Sequence, residues 1–346
     1  MQIKPSLQAL KPYRPNKQAA AIMLDANESP NYLFDALDTL DLMAINRYPD
    51  SDALMLKEAL AKRFNIDAQS LIIGSGSSEL IELVIKTFVK PFGKIVSLDP
   101  SFSMYQVYSI MHSAQFVKVP LEPPFEVDVE ALIKTANIQE ADLIIVCNPN
   151  NPTGSLINKL DLIRLHNETR AALLIDEAYM DFTDESASLF REATKMPRLI
   201  VTRTFSKAYG LAGARVGYLR AANNVVETLN KVKTPYNINS LSMRLATQAL
   251  EKASETTAFT KSVQTRRTAL KQSLDALGIM TYPAHGNFIF IRSVSDLALQ
   301  LLDVGIRIRD YTAYQKGFFR ITVGTEKENQ QLMKALKEVL SCAKQR

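Results

Sequence analysis

The chain has 346 residues, 47% hydrophobic and 22% charged, a net charge of +5 and an isoelectric point near 9.0. That length asks for two domains or one large α/β unit, and the composition is that of an ordinary globular protein. No apolar run nears the roughly 20 residues of a membrane helix, and the basic residues are mixed with acids rather than gathered into a nucleic-acid-binding strip.

With two cysteines, three histidines and no metal-type spacing, the sequence argues against a disulfide scaffold or a zinc site. The N-terminal run lacks the apolar core of a signal peptide, so a reducing cytoplasm is expected, with no membrane or nucleic-acid partner. The mild excess of positive charge suits anionic small substrates.

The first 30 residues, rich in Pro, Asn and Lys, read as an extended arm. From about residue 71 an alternation of apolar strand, turn and amphipathic helix begins. Residues 71–73 lead into Gly-Ser-Gly-Ser-Ser-Glu at 74–79. Leu80, Ile81, Val84, Ile85 and Phe88 then recur at helical spacing. Ser77 or Ser78 is expected to cap this helix, with Glu79 in its first turn. Free N–H groups and the positive helix end make the turn a seat for phosphate. It lacks the Gly-Lys-Ser/Thr ending of a nucleoside-triphosphate loop.

Further buried-strand candidates lie at 94–98, 143–147, 173–175 and 199–202. Strands alternating with helices predict a mostly parallel sheet covered on both faces, with ligands outside its carboxyl edge. Beyond about residue 237, helical stretches and short strand candidates at 287–291 and 318–323 predict a smaller α+β domain.

Three polar motifs follow the last three candidates of the first group: Asn-Pro-Asn-Asn-Pro-Thr-Gly at 148–154, Ile-Asp-Glu-Ala-Tyr at 175–179, and a run from Thr204 to Tyr218 containing Ser206, Lys207 and Arg215. A lysine just past a buried strand and near an arginine has its pKa lowered by desolvation and like charge, which suits an imine-forming amine. Asp176 ends an apolar run, where a carboxylate is costly unless a cation meets it, and a protonated pyridine nitrogen is such a cation. Tyr179 and Asn151 can serve a phenolic oxygen, Ser206 and Arg215 a phosphate, and Tyr105 an aromatic ring face. Taken singly, each has an ordinary structural explanation: a cap, a turn, a surface charge. Together, at strand ends and in one order, they make the set of groups that holds pyridoxal phosphate (PLP) and uses it as an electron sink.

On these residues the chain resembles the fold-type I PLP-dependent aminotransferases and, within them, the histidinol-phosphate aminotransferase subgroup. The likeness also includes Leu-Lys-Pro-Tyr at 10–13, Leu-Asp-Ala-Asn-Glu at 24–28, Arg-Tyr-Pro-Asp at 47–50, Gly-Ile-Arg-Ile-Arg-Asp at 305–310 and Phe-Arg-Ile-Thr-Val-Gly-Thr at 319–325. It implies an α/β fold with a large domain on a mostly parallel seven-stranded sheet and a smaller α+β domain. The implied division is an arm at 1–30, a large PLP domain at 48–237, and a small domain from 31–47 and 238–346.

The resemblance gives Lys207 the covalent bond to the cofactor and the proton transfer, and Asp176 the ring nitrogen. Asn151 and Tyr179 take the phenolic oxygen and Tyr105 the stack. Gly76, Ser77, Ser78, Thr204, Ser206 and Arg215 surround the phosphate, and Tyr48 reaches it across a homodimer interface. Arg320 is implied as the substrate-anion arginine, with Arg309, Tyr13 and Asn27 lining the amino-donor side and no metal involved. Ser78 stands where many relatives carry an acidic residue; a serine there still caps a helix and binds phosphate. The reaction implied is exchange of an amino group between L-histidinol phosphate and 2-oxoglutarate. An aromatic aminotransferase or a phosphothreonine decarboxylase shares most of these motifs, and a non-catalytic regulator of this fold would be expected to lose Lys207 or gain a DNA-binding domain.

Overall fold

The computed structural model describes residues 18–33 and 46–343. Tyr13, most of the expected arm and most of the 31–47 segment lie outside the described residues. In chain order the elements are β1 (Ile22–Leu24), α1 (Leu54–Phe64), β2 (Leu71–Gly74), α2 (Gly76–Phe88), β3 (Lys94–Asp99), α3 (Met104–Met111), β4 (Gln115–Pro120), α4 (Val129–Ile138), β5 (Leu143–Cys147) and α5 (Lys159–Asn167). They continue with β6 (Ala172–Asp176), β7 (Leu199–Thr204), β8 (Gly217–Ala221), α6 (Asn223–Asn230), α7 (Ser240–Glu251) and α8 (Ala253–Ala276). The chain closes with β9 (Met280–Thr281), β10 (Phe288–Arg292), α9 (Leu297–Asp303), β11 (Ile306–Asp310), β12 (Phe318–Thr322) and α10 (Glu326–Ala343).

Seven strands form one sheet in the order β2-β8-β7-β6-β5-β3-β4. β3 through β7 run parallel to one another, and β8 is antiparallel to both strands beside it, β7 and β2. The middle strands are unbroken apolar runs because both of their faces are buried under helices. Cys147, Asp176 and Thr202 fall in one row of the register, so the carboxyl ends of β5, β6 and β7 lie side by side. A second sheet, β1-β11-β12-β10-β9, is antiparallel except for the β1–β11 pair. Arg267 on α8 links the two halves by donating to the carbonyls of Phe182 and Gly286, at 3.0 and 2.6 Å.

Two local expectations change. Residues 22–24, within the expected extended arm, form an edge strand paired with Ile306–Ile308, because Ile22 and Leu24 bury their side chains in the core. The α2 helix begins at Gly76 rather than after Ser77 or Ser78. Gly76 takes φ +78°, a turn open to glycine, and the Glu79 carboxylate folds back to accept the Ser75 N–H. No helix among the described residues is long and apolar enough to cross a membrane.

Candidate active site

At the end of β6, Asp176 is buried and its carboxylate is held by the chain's own donors. Oδ2 accepts from the Tyr105 hydroxyl at 2.8 Å, and Oδ1 accepts from the Ala178 N–H at 3.2 Å and the Thr202 hydroxyl at 3.4 Å. Burial pushes its pKa up and these hydrogen bonds, with the Lys207 charge, pull it back down. Past β5, the Asn151 side-chain amide donates to the Tyr179 hydroxyl at 3.2 Å, and Asn27 donates to the same oxygen at 3.2 Å. Asn27 is fully buried and knitted to Thr322 and Asn287. It therefore sits behind Tyr179 rather than on the amino-donor side where it was expected.

Past β7, Lys207 enters the same space. Its Nζ donates to the Ala26 carbonyl at 3.0 Å, and its backbone is clasped by the Ser29 hydroxyl on its own carbonyl and the Tyr32 hydroxyl on the carbonyl of Ala208. Burial lowers the amine to about 8, Arg320 and Arg215 push the same way, and Glu28 and Asp176 oppose them.

The residues expected to seat a phosphate assemble beside it. Thr204 Oγ1 donates to Ser206 Oγ at 3.0 Å, and Arg215 donates to the same serine at 3.3 Å. A Cβ on Gly76 would collide with the Arg215 guanidinium, and one on Gly217 with the backbone at Gly76 and Ser77. These contacts pack the turn, the arginine and β8 into a cradle that only glycine leaves open. Ser78 meets Tyr108 of α3 at the edge of this seat. The residues present thus fit PLP at both its nitrogen and phosphate ends.

A cavity of about 600 Å³ opens over Lys207, Asn151, Tyr179 and Arg320, walled by both sheets. Arg320 on β12 is buried; it donates to Asn151 Oδ1 and, at 2.6 Å, to the Asp25 carbonyl. Arg309 on β11 pairs with Arg320 in the sheet register and lines the same cavity. Tyr105, expected to stack on the ring, has no exposed surface and stands behind the wall. Phe102, packed edge-on against Tyr105 at 5.4 Å, is the aromatic of that pair on the cavity wall. Tyr48 lies away from this cavity, 81% exposed and stacked on Tyr236 at 4.7 Å.

Sequence reasoning passed over Phe102, Tyr311 and the Arg307–Asp25 ion pair (2.8 Å), all on the cavity wall. Tyr311 was findable: it directly follows the Arg-Ile-Arg-Asp run and offers its hydroxyl to Asn151 at 3.5 Å.

The profile of the family described as aminotransferase class I and II matches residues 18–336. The chain belongs to that family. This aminotransferase is 33% identical over 348 residues to the histidinol-phosphate aminotransferase of Caldanaerobacter subterraneus subsp. tengcongensis, covering 98% of this chain and 99% of that protein. Among solved structures, it is similar to the histidinol-phosphate aminotransferase of Sinorhizobium meliloti in complex with pyridoxal-5'-phosphate, with a TM-score of 0.88 and 24% identity over 99% of this chain and 98% of that one. The histidinol-phosphate aminotransferase of Clostridium acetobutylicum aligns with a TM-score of 0.83 and 26% identity over 92% of this aminotransferase and 98% of that chain. The expected fold, a mostly parallel seven-stranded sheet with a smaller second sheet, is that of this aminotransferase.

Proposed function

We propose that this aminotransferase moves the amino group of L-histidinol phosphate to 2-oxoglutarate, giving imidazole acetol phosphate and glutamate. Pyridoxal 5'-phosphate is its cofactor, and when bound it supplies the electron-withdrawing ring that makes the exchange possible. The chain's own residues do the rest. Gly76, Ser77, Ser78, Thr204, Ser206 and Arg215 hold the phosphate, Asp176 faces the ring nitrogen, and Asn151 with Tyr179 faces the phenolic oxygen. Phe102 takes the ring-stacking place first expected for Tyr105. Lys207, with its pKa near 8, gives up its proton close to neutrality and carries a proton to and from the carbon bearing the amino group.

The observation that carries the substrate reading is Arg320, buried and aimed from the second sheet at the space above Lys207. A fork of fixed donors fits a carboxylate and a phosphate alike, so glutamate and histidinol phosphate can take turns on it, with Arg309 beside it. Comparing turnover of histidinol phosphate, phenylalanine and phosphothreonine with 2-oxoglutarate tests this. Histidinol phosphate should lead by kcat/KM; negligible turnover of it, or release of carbon dioxide from phosphothreonine, rejects the assignment.

The working unit in this reading is a cytoplasmic homodimer, with 48–237 as the cofactor-binding domain and 238–346 with 31–47 as the small domain. Tyr48, Leu54, Met55 and Tyr236 are all exposed apolar groups near one another in sequence or stacked together, and burying them against a second copy would bring Tyr48 to the partner's phosphate seat. Sedimentation at micromolar concentration should give twice the chain mass; a monomer that turns over normally excludes this arrangement.

A further inference from the structure

The Tyr105 hydroxyl makes the shortest of the three hydrogen bonds to Asp176, and it comes from α3 rather than from either strand beside the carboxylate. Both side chains are buried. Tyr105 is fixed in turn by the edge of Phe102 and by its place in α3, where the Ser109 hydroxyl donates to its carbonyl at 2.7 Å. One turn along the same helix, Tyr108 meets Ser78 at the phosphate seat. Residues three apart on a helix share a face. Helix α3 therefore presents one hydroxyl toward each end of the cofactor seat.

A carboxylate at this depth neutralises itself by taking a proton unless donors hold the anion. The titratable groups that face Asp176 are Tyr105, Tyr108, Cys147, Tyr179 and Lys207. Burial pushes the three tyrosines and the thiol upward, so they stay neutral, while Lys207 loses its charge above about 8. Near and above that pH, hydrogen bonds are what the protein has left to keep the carboxylate ionised.

We propose that Tyr105 is a positioning residue that acts through Asp176: its hydroxyl fixes the rotation of the carboxylate and holds it as the anion, so that the cofactor's ring nitrogen keeps its proton at working pH. The proposal rests on reading Asp176 as the partner of that nitrogen. No bond is made or broken by Tyr105, and its proton stays on oxygen throughout.

The test uses the holoenzyme loaded with PLP carrying 15N in the ring, with nitrogen protonation followed by NMR across pH. In Tyr105→Phe, loss of one hydrogen bond to a charged group should lower the midpoint of nitrogen deprotonation by about one pH unit. The dissociation constant for PLP should rise about tenfold, while the melting temperature and far-ultraviolet circular dichroism of the loaded protein hold. Placing 3-fluorotyrosine at position 105 keeps the shape and strengthens the donor, so the midpoint should move up. An unchanged midpoint in both proteins overturns the proposal. Should Tyr105→Phe not fold, the fluorotyrosine protein decides alone, and no upward movement overturns it. A wild-type protein that takes up no PLP would instead reject the functional reading beneath it.

Discussion

Asp176 and Glu177 are neighbours at the end of β6, yet they close their hydrogen bonding in opposite ways. Glu177 is locked into a buried ion pair with Arg203 at 2.8 Å, with the Ser188 hydroxyl and the Leu189 N–H on the same carboxylate. Arg203 also reaches Glu185 at 2.8 Å, so Glu177 meets a counter-charge supplied by the protein itself. Burial pushes both carboxylates up; Arg203 pulls Glu177 back down, whereas Asp176 has only neutral donors and a lysine nearby. The side that is electrically closed is scaffold, and the side left waiting for a cation is the site. Two adjacent acids in one motif therefore differ in role because their side chains leave the strand end for different partners, Tyr105 and Arg203.

The sharpest way to break this contrast is at the amine that shares Asp176's side. Lys207→Ala should abolish turnover and the visible band of bound PLP while leaving the fold intact; steady-state transamination at a normal rate would end its assignment. Next, the two acids should separate cleanly. Asp176→Ala should cut kcat by about 10²–10³-fold, the scale of removing one preorganised electrostatic partner, with little change in melting temperature. Glu177→Ala should cost about 3 kcal/mol of stability by breaking the buried pair and leaving Arg203 only the half-exposed Glu185 as an ion-pair partner, read by denaturant unfolding, and the folded fraction should still bind PLP. If the two phenotypes were exchanged, the contrast would be wrong.

A smaller effect lies on the substrate side. Arg320→Lys should lower kcat/KM for both substrates by about tenfold to a hundredfold through loss of the two-pronged contact, with PLP affinity nearly unchanged. The smallest concerns pH. Because burial and the neighbouring arginines depress Lys207 to about 8, the rate at which apoprotein combines with PLP should rise through about pH 8, as the neutral amine appears. In Arg320→Ala, one repelling charge is gone, so the midpoint should move upward; a downward move would contradict the stated cause.

Much of this was legible in the sequence because short apolar runs stop abruptly at polar motifs. The 143–147 strand was read to the residue, and Asp176 and Lys207 stand where a parallel sheet puts its ligands. What stayed hidden depends on rotation and on distance along the chain. Phe102 and Tyr105 are both aromatic, and only the turn into α3 decides which one faces the cavity. Asn27 meets Tyr179 across 152 positions, a contact no local pattern encodes. Strand β1 has only three residues, too few to show alternation, and β4 is a half-exposed edge strand carrying Lys118 and ending at Pro120, which blurs its apolar signature.

The most direct test is chemical. Reducing the PLP-loaded protein with borohydride and mapping its peptides should place one cofactor label on the peptide containing Lys207 and leave the other lysines bare. A fully loaded protein whose label sits on a different lysine, or that carries no label at all, would contradict the account.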